Sequence, residues 1–146
     1  MATLFTLIEA QRLLPRVADS LAEAIAAKAR YETHHAELRG VSQKVALSGG
    51  AMVDRDRFIH IRSQREAAAI ALKERLDNIQ DFGCVVKDLD TGLIDFATLY
   101  RGEEVCLCWK LGESSIQFWH GVDEGFAGRK PINEEFRQHH STGRIT

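Results

Sequence analysis

The chain has 146 residues, 45% hydrophobic and 27% charged, an average globular mix that is long enough to bury one core. Its 19 basic and 21 acidic residues nearly cancel, so the basic excess that drives binding to a phosphate backbone is missing and no nucleic acid is expected as a partner. No run approaches the roughly 20 apolar residues of a membrane span, and "MATLFTLIEAQRLLPR" lacks the pattern of a secretory leader, so a cytoplasmic protein without a membrane partner is expected. Three cysteines suit free thiols in a reducing compartment better than a disulfide framework.

The first helix is expected from Thr6, whose hydroxyl can cap the amide of Glu9 while the Glu9 carboxylate reaches back to the Thr6 amide, a capping box. Ala10, Leu14, Val17, Leu21, Ala24, Tyr31, His35 and Leu38 then recur at spacings of four and three, the seam of a coiled-coil-like helix, with Lys28 at the one polar position. Pro15 lies inside the run, where its ring crowds the previous turn, and predicts a kink. Gly40 is tolerable within a helix, whereas the Gly49 and Gly50 pair is the expected break.

A second seam starts near Asp54 and follows Phe58, Ile61, Ala68, Leu72, Ile79 and Phe82 to a C-cap at Gly83. The two runs predict an antiparallel hairpin over residues 6–82. After Gly83 the period changes: "CVVKD", "LIDF", "EVCLCWK" and "IQFWH" are short, rich in β-branched and aromatic residues, and separated by the turn signals "DLDTG" and "LGES". The fold class is therefore α+β, a long helical hairpin followed by a three- or four-stranded antiparallel meander over 84–121. A loop over 122–133 and a solvated, disordered tail over 134–146 complete a single domain. With Leu111 to Ser114 as a tight turn, Leu107 faces Phe118, and His120 falls on the face opposite to Cys106 and Cys108.

"FTLIEAQRLLPRV", "KDLDTGLIDF", "GEEVCLCWKLGE", "WH" and "GFAGRKP" resemble domain-of-unknown-function family 2203, a group of small bacterial proteins. The resemblance covers Phe5 to Val17 and Lys87 to Pro131. It implies a bacterial origin and a helical N-terminal half, and it implies no activity. The segment after Pro131, including His139 and His140, matches none of its motifs.

The two cysteines and the nearby histidine invite a metal reading. Thiols two apart on one strand face are about 7 Å apart, too far for one zinc ion to hold both, and His120 is expected across the sheet. No metal and no cofactor are expected, and a catalytic cysteine would lack its base for the same reason. Asp95, Glu113, His120, Glu124 and Arg129 form the candidate cluster, with Asp123 and Lys130 beside it. Polar side chains at loop positions on a rigid scaffold are how binding sites are built. The first reading is structural, with Arg129 folded back onto Asp95 or Glu113 as a lock. The alternative is a pocket for a small anionic ligand, in a binding protein or enzyme. A nest formed by Gly125 and Gly128 would be a weak anion signal.

Ile59 and Ile70 lie outside the second seam and Leu13 and Ile25 flank the first, apolar positions that ask for another surface. A homodimer through the hairpin answers it. A structural or protein-interaction module without catalytic activity is accordingly placed ahead of an enzyme.

Overall fold

A computed structural model describes residues 3–47 and 55–143. Helix α1 (Leu7–Leu47) and helix α2 (Arg55–Phe82) precede strands β1 (Val85–Asp88), β2 (Leu93–Tyr100), β3 (Glu103–Lys110) and β4 (Phe118–Gly121). Two short strands, β5 (Lys130–Pro131) and β6 (His140–Ser141), and a short helix, α3 (Glu134–His139), follow. The architecture is the expected α+β one, two long helices and then an antiparallel sheet. The predicted break at Gly49 and Gly50 and the predicted start at Asp54 lie outside the described residues. No helix among the described residues is long and apolar enough to cross a membrane.

The chain divides into two compact units. One is Ala22–Arg75, the distal parts of both helices. The helices run antiparallel there: the guanidinium of Arg75 pairs with Glu23 at 2.7 Å, and Arg65 reaches the ring of His35 at 3.2 Å. Ala24, Ala27, Leu38, Ile61 and Ala68 are buried, and alanine at these positions lets two helices approach closely at little cost in side-chain entropy. Lys28 sits in the seam as a half-buried stem with its ammonium toward Glu32.

The other unit holds the rest of the chain, from its beginning to Leu21 and from Leu76 onward. Here α1 starts on the predicted capping box: the Glu9 amide donates to Thr6 Oγ1 at 3.1 Å, and the Thr6 amide donates to Glu9 Oε1 at 2.9 Å. Leu7, Ala10, Leu14, Val17 and Leu21 are buried, as are Ile94, Phe96, Leu107 and Trp109 of the sheet. Pro15 is part of the continuous α1. Gly83 ends α2 at φ +97°, and a Cβ there would come within 2.7 Å of the Thr3 side chain, so glycine is required on both counts.

The sheet order is β1-β2-β3-β4-β5. Along its edge away from β3, β2 is covered in turn by β1, by a bridge to Leu4 and by β6. A central strand is thereby left with little free edge.

The β3–β4 register departs from the predicted one. Leu107 pairs with Trp119, Cys106 with His120 and Cys108 with Phe118, one residue off the expected partners. The cause is at Ile116, whose amide donates to Gln11 Oε1 at 3.1 Å and whose carbonyl accepts from Gln11 Nε2 at 3.1 Å. With both backbone groups satisfied by α1, Ile116 stays off the ladder and β4 begins two residues later than its sequence pattern suggests. A one-residue slip turns every side chain to the other face, so His120 shares a face with Cys106 and Cys108.

The C-terminal segment also differs from the disordered tail predicted for it. Asn133 caps α3 by accepting the Phe136 amide at 2.9 Å, and Phe136 is buried against Tyr100, Trp119 and His140. His140, expected in solvent, donates from Nδ1 to the Arg137 carbonyl at 2.7 Å, and its Nε2 accepts the Leu7 amide at 2.9 Å. It thus caps an orphan donor in the first turn of α1.

Replacing Gln11 by alanine leaves a buried amide and carbonyl at Ile116 without partners. Gln11→Ala is expected to lower stability by about 1–3 kcal/mol, read from the denaturant midpoint; an unchanged midpoint would show that Gln11 does not hold this register.

Candidate functional site

The sheet face that carries Asp95, Cys106, Cys108, Phe118 and His120 is opposite to the one built from Ile94, Phe96, Leu107 and Trp109. Asp95 and His120 are nonetheless buried, at 3% and 4% exposure. Lys87, Leu93, Asp95, Cys108, His120, Glu124, Gly125 and Phe126 line a cleft of about 260 Å³ on this face.

Arg129 closes one side of this face. Its Nη2 lies 2.6 Å and 2.9 Å from the two oxygens of Glu113 and 3.4 Å from the Cys108 carbonyl. The guanidinium carbon stands 4.1 Å and 4.7 Å from the ring centres of Phe118 and Phe126, so the cation is sandwiched between aromatic faces. Glu113 also accepts the Lys110 amide at 2.7 Å, and its own carbonyl accepts from Trp109 Nε1 at 2.9 Å. This is the predicted lock, with Glu113 as the acceptor and Asp95 left out of it.

Glu124 accepts from Lys130 Nζ at 2.6 Å and from the Gly121 amide at 2.8 Å. Those two donors, the ammonium first, hold its carboxyl below the usual range. The Gly128 and Arg129 amides are spent within the loop, on the carbonyls of Gly125 and Phe126, and so do not form the anion nest that the glycine spacing suggested.

Asp95 pairs with His120 instead: Nε2 lies 3.1 Å from Asp95 Oδ1. Nδ1 lies 2.7 Å from the Gly121 carbonyl, which can only accept, so Nδ1 carries a proton. Nε2 and Asp95 Oδ1 thus form a side-chain pair inside the protein, both residues being buried. Asp95 Oδ2 is buried and has no hydrogen-bond partner among the described residues.

The expectation that His120 lies across the sheet from the cysteines is corrected by the register. One ligand atom each from Asp95, Cys106 and His120 lies within 4.8 Å of the others. Cys108 is not part of that cluster, as strand spacing requires. The sequence signal for Cys106 was present, a thiol two residues from another and near a histidine, but its weight depended on which face His120 takes.

Nucleophilic catalysis by these thiols does not fit the geometry. One nitrogen of His120 is spent on Gly121 and the other on Asp95, so neither is free to act as base for a thiol. Burial, and then the Asp95 charge, pushes the Cys106 thiol up to about 11 and the Cys108 thiol up to about 12. Both are protonated at neutral pH. Cys84, a core thiol pushed up to about 11 by burial, donates to the Ile79 carbonyl at 3.5 Å.

A family model for the uncharacterized conserved protein DUF2203 matches residues 3–132. The chain belongs to this family. No curated protein and no solved structure matches it significantly. The matched span includes Asp95, Cys106, Glu113, His120 and Arg129, and it stops before α3.

Removing the guanidinium strands the Glu113 carboxylate, which is 21% exposed, and empties the space between two rings. Arg129→Ala is expected to cost about 1–4 kcal/mol of stability. Arg129→Lys should restore little of it, because an ammonium offers neither the fork nor the stacking plane. Thermal unfolding measures both; a melting temperature unchanged in Arg129→Ala would remove the lock.

Proposed function

We propose that this member of the family is a small-ligand-binding protein whose ligand is a cation or hydrogen-bond donor, seated in the cleft against Asp95. One observation carries the reading: Asp95 Oδ2 is buried at the cleft without a hydrogen-bond partner, and a buried acceptor in that condition gains more than an exposed one when a donor or positive charge arrives. The anionic ligand considered for the Asp95, Glu113, His120 and Arg129 group has less support. Arg129 is neutralised by Glu113 and Lys130 by Glu124, and an anion would be set beside the Asp95 carboxylate.

The experiment is thermal unfolding of the parent and Asp95→Asn against divalent cations, small amines, phosphates and carboxylates. A cation or amine is expected to raise the parent's melting temperature, and Asp95→Asn should lose the rise. A rise caused by anions and lost in Arg129→Ala would reverse the reading.

A homodimer through α2 is a second reading. Its support is that Ile59 and Ile70 are 53% and 60% exposed and, at about 100° per residue, share one side of the helix. The ion pair between Arg62 and Glu66 stands between them, so any apolar contact is in two pieces. Light scattering on a sizing column is expected to give twice the chain mass for the parent and the monomer mass for Ile70→Glu; a monomeric parent overturns it.

A further inference from the structure

Resting on the reading of the cleft as a cation or donor site, we infer that Asp95, Cys106 and His120 form a binding site for a divalent first-row transition metal ion, with zinc the best match. Three kinds of ligand converge there, a carboxylate, a thiol and an imidazole, with their ligand atoms all within 4.8 Å of one another. A tetrahedral zinc ion with bonds of about 2.0–2.3 Å sets neighbouring ligand atoms about 3.3–3.6 Å apart. The His120 Nε2 to Asp95 Oδ1 separation is already 3.1 Å. Closing the remaining distance asks about 1 Å of movement, within reach of side-chain rotation.

The orientation of His120 is the second observation. A metal-binding histidine generally donates its other ring N–H to a carbonyl or carboxylate, which fixes the tautomer and aims the free lone pair. The Gly121 carbonyl, 2.7 Å from Nδ1, does this here and directs Nε2 at Asp95. The third observation is Asp95 Oδ2, buried and unpartnered.

The mixed set of nitrogen, sulfur and oxygen ligands suits zinc and its neighbours and is a poor match for magnesium or calcium, which take oxygen ligands. Zinc takes cysteine as the thiolate and histidine through an unprotonated nitrogen, so binding releases the Cys106 thiol proton to solvent. Asp95 and His120 line the cleft together with Phe126, and three protein ligands leave a four-coordinate ion one further position to fill. Three protein ligands and one open position is the arrangement of an exchangeable site, in contrast to a closed structural one.

Cobalt(II) is the probe, because a thiolate bound to it gives a charge-transfer band in the near ultraviolet. The full chain, stripped with a chelator and kept reduced, is titrated with cobalt and then with zinc. One cobalt per chain is expected, with a charge-transfer band that zinc abolishes. Cys106→Ser should lose the band, His120→Gln should weaken binding at least tenfold, and Cys84→Ser, a core thiol outside the cluster, should keep both. A circular dichroism spectrum matching the parent's shows that each variant is folded. No cobalt binding, or binding that survives both Cys106→Ser and His120→Gln and is therefore adventitious, overturns the metal site. If cobalt fails while an amine still raises the melting temperature in the parent and not in Asp95→Asn, the cleft remains a ligand site and only its metal is lost. If neither binds, both readings fall.

Discussion

A single side-chain amide sets the geometry on which the polar face depends. Gln11 presents a carbonyl and an NH₂ to Ile116 and satisfies both of its backbone groups, the service a neighbouring strand would otherwise perform. Held in this way, Ile116 cannot enter the ladder, and β4 starts opposite Cys108 at Phe118. Because side chains alternate with a period of two, that choice alone decides whether His120 falls opposite Val105 on the core face or opposite Cys106, near Asp95, on the far face.

The connection between β3 and β4 is fixed a second time by Glu113. Its carboxylate takes the Lys110 amide and the Arg129 guanidinium, and its carbonyl takes the Trp109 indole. Trp109 belongs to the core and Arg129 to the loop that covers the polar face, so one residue ties the two faces of the sheet together. Through Arg129 and its contact with Phe126, the loop that lines the cleft is held in place. The polar cluster is thus divided: Glu113 and Arg129 pair through the Arg129 Nη2 and act as structure, although the buried Arg129 Nε has no hydrogen-bond partner among the described residues, while Asp95 meets His120 through one oxygen and leaves the other buried oxygen unmet. Buried charges are tolerable when paired and hydrogen-bonded, and costly otherwise, which is why the unmet oxygen, more than the ion pair, directs attention to a ligand.

What the sequence by itself determined are the features governed by near neighbours in the chain. The capping box at Thr6 and Glu9, the helix end at Gly83 and the alternation of the four main strands depend on residues within a few positions of each other, and local spacing encodes them. The lock between Arg129 and the β3–β4 turn was also legible, because a flexible glycine loop brings a guanidinium back over a strand end that offers a carboxylate. Two things were decided only by the tertiary structure. The β4 register depends on Gln11, at the far end of the chain, and no pattern within residues 103–121 carries it. The order of the C-terminal segment depends on Phe136 finding Tyr100 and Trp119 and on His140 finding the free amide of Leu7; the same residues read in isolation are a short polar run with too little apolar surface to fold. Local spacing fixes which elements form, whereas register and long-range capping are choices among alternatives of similar local energy that distant hydrogen bonds decide.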